Sequence, residues 1–196
     1  MTLQIQELCF GYGQKPLWSH WTQDFPDACV CEGRNGAGKT TFLKIIAGVL
    51  PVESGRILVN GATQYRSSIL LGNRFLVDDW TVEKHIRWVK SEFREEAGNI
   101  GKTVDGFDLR GLEQYRVGTL SEGERQWVAL ALSLSVPADI YLLDEPFMHL
   151  DGEHKSRFWE ILHDLPSILP NLVITAHPGE NGEFNGNLTV VPIPEI

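Results

Sequence analysis

The sequence predicts an α/β fold built around a phosphate-binding loop, and three observations carry that expectation. Gly33-Arg34-Asn35-Gly36-Ala37-Gly38-Lys39-Thr40 fills every defining position of G-x-x-x-x-G-K-[ST]. A short β-prone run (28–32, ACVCE) precedes it and an apolar helical run (41–50, TFLKIIAGVL) follows, so the motif has strand–loop–helix context. Residues 139–143 (DIYLL) form an apolar strand that ends on Asp144-Glu145-Pro146, and residues 171–175 (NLVIT) do the same ahead of Ala176-His177-Pro178. Apolar strands that end on polar side chains put those side chains at the carboxyl edge of a sheet, where α/β folds bind ligands.

Length and composition bound the answer. With 196 residues, 42% of them hydrophobic, the chain is expected to bury one substantial core as a single domain, 1–196. A net charge of -9 argues against a nucleic-acid partner, which usually meets a basic surface. No apolar run approaches the ~18 residues of a membrane span, and no basic-then-apolar signal segment opens the chain. The three cysteines, Cys9, Cys29 and Cys31, are an odd number in strand-like runs, so a buried strand face in a reducing, cytosolic compartment is expected rather than a disulfide framework.

Taken in order, residues 2–10 and 17–25 alternate as strands, joined by a turn over 11–16. Tyr12 stands between two glycines, free either to stack on a base or to serve as an ordinary turn residue. After the loop helix, 51–55 is a connector and 56–61 a strand that ends in an Asn60-Gly61 turn. Residues 67–71 form another strand and 73–79 a loop. Thr81 caps a helix with Val82, Ile86, Val89, Phe93 and Ala97 on one stripe, ended by Gly98-Asn99. Within 99–119 only a short helix over 109–115 is expected. Ser121 and Glu124 form a capping box for a helix that is apolar nearly all round through 127–134 and stops before Pro137. Asp151 caps a helix with Phe158, Ile161, Leu162 and Leu165 on one face, and 187–191 supplies the last strand.

The chemistry of the loop explains its residues. Gly36 and Gly38 allow the tight turn that aims successive N–H groups at phosphate oxygens. Lys39 brings a cation to the β/γ-phosphates, and the Thr40 hydroxyl can ligate Mg²⁺. Asp144 fits the Mg²⁺-holding acid of such a site, and Glu145 is placed to polarise an attacking water.

Together GRNGAGKTT (33–41), LSEGERQ (120–126), IYLLDEP (140–146), His149-Leu150-Asp151 and Thr175-Ala176-His177 resemble, across essentially the whole chain, the nucleotide-binding subunit of an ABC transporter. The resemblance implies a P-loop NTPase of ABC type, with a mixed sheet core, an antiparallel β subdomain and an inserted helical subdomain at about 75–135. It implies ATP and Mg²⁺ as cofactors. Tyr12 would stack on adenine; Asn35, Gly36, Ala37, Gly38, Lys39, Thr40 and Thr41 would hold phosphates; Thr40 and Asp144 would hold the metal. Glu145 would be the catalytic base, His177 a switch histidine at the γ-phosphate, and Asp151 an acid of the interface loop. Ser121 and Gly123 would meet the γ-phosphate of a second ATPase subunit, and the pair would power a separate multi-span membrane transporter from the cytoplasmic face. The small size, the loop Glu32–Thr41 and Leu71-Gly72 before a polar pair are similar to the haem-exporter ATPase of cytochrome c maturation, and a general small exporter ATPase is an equal reading. A soluble ABC-type ATPase acting on ribosomes or DNA and a low-turnover nucleotide-sensing module are the competing readings.

Two departures from the family pattern stand out. Its Leu-Ser-Gly-Gly-Gln reads Leu-Ser-Glu-Gly-Glu here, with Glu122 and Glu124 in place of Gly and Gln. The loop after Leu71 lacks the family's Gln and has Asn73-Arg74 instead. Arg74 has no acceptor for a metal, so either Asn73 reaches Mg²⁺ directly or through a water, or the loop stands back and Arg74 serves the interface or pairs with Asp78 or Asp79; the second is the expectation. A carboxylate ~6 Å from a γ-phosphate costs on the order of 2–3 kcal/mol at an effective dielectric near 20. Glu124 is drawn away by the capping box, whereas Glu122 is not. Glu122→Gly is therefore expected to strengthen ATP-driven dimerisation more than Glu124→Gln does, as read by gel filtration across an ATP titration.

Overall fold

The computed structural model describes residues 3–164, 171–177 and 188–194. Thr2, Leu165, Pro178 and Asn187, which the sequence assigns to elements or motifs, lie outside the described residues. The chain forms two compact units. The first is Met1–Ile69, Ala138–Glu145 and Pro170–Ile196; the second is Leu70–Pro137 and Pro146–Leu169.

In the first unit, β1 (Leu3–Tyr12), β2 (Lys15–Phe25) and β4 (Ser54–Val59) make an antiparallel sheet in the order β2-β1-β4. The hairpin turn is tighter than the sequence indicates, because pairing continues to Tyr12 opposite Lys15. A bulge interrupts β1, where Glu7 has φ 50 opposite a strand that carries His20 at φ 53. Gly55 (φ +96) crosses there, and a Cβ on it would lie 2.5 Å from the Glu7 carbonyl oxygen, so glycine is required. Asn60-Gly61 closes a two-residue turn with both residues at positive φ, sealed by paired bonds between Val59 and Ala62.

A second sheet has the order β5-β6-β7-β3-β8, from β5 (Ser67–Leu70), β6 (Ile140–Asp144), β7 (Leu172–Ala176), β3 (Ala28–Glu32) and β8 (Thr189–Pro192). The β6–β7, β7–β3 and β3–β8 pairs are parallel. Strands covered on both faces read as continuous apolar runs, which explains IYLL and LVI. Helix α1 (Lys39–Ile46) lies in the same core. Its Phe42 packs on Trp21 and Phe25, with ring centroids 5.0 and 5.3 Å apart. Losing that ring costs about 3–5 kcal/mol. Cys29 and Cys31 are buried free thiols on β3, and the Cys31 thiol is pushed up by its hydrogen bond with Cys29 and by burial.

The second unit is helical, with α2 (Val82–Glu92), α3 (Ala97–Gly106), α4 (Glu122–Ser135) and α5 (Gly152–Asp164). Here two sequence expectations are corrected. Gly98-Asn99 do not end α2; that helix stops at Glu92, a single 3₁₀ turn follows, and both residues lie inside α3. Burial of Ile100, Val104 and Phe107 at helical spacing outweighs the poor propensity of Gly98 and Gly101. No helix forms over 109–115. That stretch turns twice, then runs beside residues 78–83, with Val82 N–H on Tyr115 O and Val117 N–H on Trp80 O. Helix α4 is buried along Gln126–Ser135, and the Trp127 indole N–H donates to Phe107 O at 2.9 Å. Among the described residues, no helix is long and apolar enough to cross a membrane.

His85 on α2 is buried, with Nδ1–H donating to Thr81 O at 2.9 Å and Nε2 accepting from Val77 N–H at 3.0 Å. The bond accepted at Nε2 requires neutral imidazole, because both ring nitrogens are donors once the ring is protonated. Burial pushes its pKa down, against the pull of Thr81 O, and the nearby charges of Lys84 and Arg125 push the same way as burial. The folded pKa thus lies below the unfolded value of about 6.5. The stability this gives is full above that value and is lost as pH falls toward the folded pKa. The melting temperature of His85→Gln is expected to decline less than the parent's between neutral pH and mildly acidic pH.

Candidate functional site

Parallel register builds the site in the first unit. Asp144 lies opposite Thr175 in the β6–β7 pair, and Thr175 opposite Cys31 in the β7–β3 pair. The three segments that leave these strands, residues 33–38, 145 onward and His177, therefore emerge from one edge. Gly38 caps α1 at φ 93, and a Cβ there would press on Leu17 and Trp18 at 3.0 Å. Gly36 (φ +84) and a bond from Ala37 N–H to Arg34 O at 3.1 Å complete the turn around Asn35.

Lys39 is only 5% exposed, and its ammonium lies among oxygens. Nζ donates to Gly33 O at 2.8 Å and Arg34 O at 3.4 Å, and lies 3.3 Å from Glu145 Oε1. His177 Nδ1 is 3.5 Å from the same ammonium, and His177 Nε2 is 3.1 Å from Glu145 Oε1. Because an ammonium can only donate, Nδ1 is the acceptor and Nε2 carries the proton toward Glu145. Lys39, Glu145 and His177 thus form one charged triangle.

Beside it is a second group. Asp144 accepts from Thr40 Oγ1 on one oxygen and from Thr175 Oγ1 on the other, both at 2.6 Å. Thr175 Oγ1 in turn accepts from Glu145 N–H at 3.0 Å. That bond holds Glu145 at φ +46, a conformation that costs a non-glycine residue on the order of 1 kcal/mol or more. Thr40 and Asp144 offer hard oxygens, which suit Mg²⁺; it commonly takes one or two protein ligands and completes its shell with phosphate and water. Among the described residues no cluster of three or more His, Cys, Asp or Glu could hold a metal without such help.

Tyr12 reaches the same loop. Its hydroxyl is 3.0 Å from Thr41 Oγ1, and its ring stands edge-on to Phe10 and is 58% exposed.

Ser121, Gly123 and Asp151 belong to the second unit. Ser121 N–H and Oγ both donate to Glu124 Oε2, and Ser121 Oγ accepts from Glu124 N–H at 3.3 Å. These bonds hold the Glu124 carboxyl below the usual carboxylate range. A Cβ on Gly123 would lie 2.8 Å from His149 O, and the buried Gln126 side chain donates to Pro146 O at 3.1 Å. Asp151 caps α5 by accepting from His154 N–H and bonding His154 Nδ1, which keeps its carboxyl low as well.

The loop after β5 differs from expectation. Asp78 pairs with Arg125 and Asp79 with Arg116, and among the described residues no ion pair joins Arg74 to either acid. The reason is tertiary, since the segment 113–125 brings its own cations against this loop. Asn73 Nδ2 donates to Glu122 Oε2 at 3.3 Å, so the two departures from the family pattern touch. Sequence reasoning gave no role to Thr175 or Gln126. The one available signal was a hydroxyl at the end of an otherwise apolar strand.

The description "ABC transporter" fits residues 28–148, more than half of the chain. The chain is 32% identical over 163 residues to the "Cytochrome c biogenesis ATP-binding export protein CcmA" of Xanthomonas campestris pv. campestris, spanning 77% of this chain and 75% of that one. Among solved structures it is similar to the ATP-binding subunit of an ABC transporter, with a TM-score of 0.81, 22% identity and 98% and 86% of the two chains covered. It is also similar to a dimeric ATP-binding cassette in a post-hydrolysis state bound to ADP and Pi, with a TM-score of 0.75, 16% identity and 97% and 94% covered.

Thr175 is fully buried, and removing its hydroxyl strands both Asp144 Oδ1 and the Glu145 N–H. Thr175→Val is expected to lose about 1–3 kcal/mol in urea unfolding. It is also expected to lower ATP turnover, whereas a purely packing role would leave turnover per folded molecule unchanged.

Proposed function

We propose that this chain, which belongs to the ABC transporter family and is its ATP-hydrolysing, nucleotide-binding subunit, drives a separate multi-span membrane transporter by closing head-to-tail with a second ATPase subunit around ATP. The observation that carries the catalytic part is the triangle of Lys39, Glu145 and His177 beside the Thr40–Asp144 pair. Backbone N–H groups of residues 35–41 and the start of α1 take the phosphates, and Lys39 balances the β/γ charge. The exposed ring of Tyr12 takes the base. Thr40 and Asp144 would hold Mg²⁺, which would supply charge neutralisation there. Glu145 takes the proton from the attacking water, and His177 Nε2–H steadies its carboxylate. Thr175 orients both acids.

The open start of α4, with Ser121 and Gly123, meets the γ-phosphate of the second subunit, and Asp151 lies in the loop at that interface. Docking to a membrane partner is supported by exposed apolar side chains of the second unit. Phe75 and Trp88 are 50% and 51% exposed, and Val77 is exposed as well. Large apolar groups gathered on a surface mark interaction sites. Such a partner would hold the subunit on the cytoplasmic face of the membrane. The likeness to a cytochrome c biogenesis export protein supports haem or another exported small molecule as cargo.

Lys39→Ala is expected to abolish ATP binding in calorimetry with the circular-dichroism spectrum intact. Glu145→Gln is expected to keep ATP binding, lose hydrolysis and form an ATP-dependent dimer on gel filtration, because an amide cannot accept the proton. Turnover at the parent rate in Glu145→Gln would shift the base role to His177.

A further inference from the structure

Helix α4 opens with two carboxylates, and the structure gives them different partners. Glu124 is folded back on Ser121 within the capping box, while Glu122 accepts a hydrogen bond from Asn73 Nδ2 at 3.3 Å. A carboxylate in the first turn of a helix is drawn to the unpaired N–H groups and positive dipole end of that terminus. Left to itself, the Glu122 side chain would fold over its own helix start and compete with any other anion for those donors. The capping box already engages the N–H groups of Ser121 and Glu124, so those of Glu122 and Gly123 are what the terminus offers.

The backbone on both sides of the pair is clamped. Gly123 is pressed against His149 O, and Gln126 is anchored on Pro146 O. The loop that carries Asn73 is tied to the same helix, since Arg125 donates to Leu76 O at 3.4 Å and pairs with Asp78. Asp78 O also accepts from Gly118 N–H at 3.0 Å. With both backbones fixed, the freedom left at this helix start is the rotamer of Glu122, and the Asn73 amide is the group that selects it. Being neutral, the amide fixes where the carboxylate sits without adding a cation of its own.

We propose that Asn73 is a positioning residue that holds the Glu122 carboxylate aside and so keeps the start of α4 open to phosphate. The inference rests on the reading that Ser121 and Gly123 meet the γ-phosphate bound by a second subunit. It assigns the two departures from the family pattern to one device, in which Asn73 acts on nucleotide through Glu122 and not as a metal ligand.

The test is a double-mutant cycle in the hydrolysis-blocked Glu145→Gln chain, reading the ATP concentration for half-maximal dimer by analytical ultracentrifugation. Asn73→Ala is expected to raise that concentration several-fold. The isosteric Asn73→Asp, which repels Glu122, is expected to do at least as much, and Asn73→Gln, which keeps the donor, is expected to stay nearer the parent. In a Glu122→Gly background the Asn73 substitutions are expected to change nothing. Equal losses in both backgrounds, no loss in either, or a raised Mg²⁺ requirement in Asn73→Ala would overturn the proposal. If the Glu145→Gln chain with Asn73 and Glu122 intact forms no ATP-dependent dimer, the functional reading itself fails and this inference goes with it. A formed dimer with zero coupling sinks the inference alone.

Discussion

Asp144 accepts a hydroxyl on each carboxylate oxygen, from Thr40 at the start of α1 and from Thr175 on β7, and the rest of the first unit's cluster is arranged around that double contact. Three strands must run parallel and in fixed register for it to form. Apolar burial supplies that register: Leu142, Leu143, Val173, Ile174, Val30 and Cys31 are at most 2% exposed, and a slip of one residue would turn each strand's alternate side chains to the other face. The polar residues that end β6 and β7 are carried into place by the packing behind them. The charged triangle of Lys39, Glu145 and His177 then forms because all three leave the same sheet edge.

One of the strained residues lies at the same edge. Gly36, Gly38 and Glu145 all have positive φ, and only the last has a side chain that resists it. The Thr175 hydroxyl compensates by accepting the Glu145 N–H while it donates to Asp144. One buried hydroxyl thus fixes the direction of two neighbouring acids, one suited to a metal and one to a proton. A regular extended strand points successive side chains to opposite faces, but β6 ends at Asp144 and Glu145 has already left the strand conformation. Here the turn at Glu145 sets the angle.

The second unit is organised differently, around the first two turns of α4. Glu122 and Arg125 touch one loop, at Asn73 and at Leu76 with Asp78, while Gly123 and Gln126 touch another, at His149 and Pro146. The helix start is therefore a junction between the loop after β5 and the loop that leads to Asp151. The buried Gln126 bond and the close approach of Gly123 fix the backbone there, and the exposed Asn73–Glu122 contact acts on a side chain alone.

The sequence by itself determined the elements whose signals are local. The phosphate-binding loop is defined by glycine spacing, the capping box by Ser121 and Glu124, the Asn60-Gly61 turn by residues that accept positive φ, and the buried strands by their apolar runs. The ABC-type fold and ATPase family followed from the order of those motifs. Beyond the phosphate-site residues, which the resemblance brought together, contacts between residues distant in the chain were not legible. Helix α3 hid behind Gly98, Gly101 and Gly106, because its formation depends on burying Ile100, Val104 and Phe107 against the rest of the unit and not on propensity. Asp78 and Asp79 found Arg125 and Arg116 in place of the adjacent Arg74, and Glu122 found Asn73, 49 positions away. Charge and hydrogen-bond partners are chosen by proximity in space, and only the tertiary structure brings the candidates together.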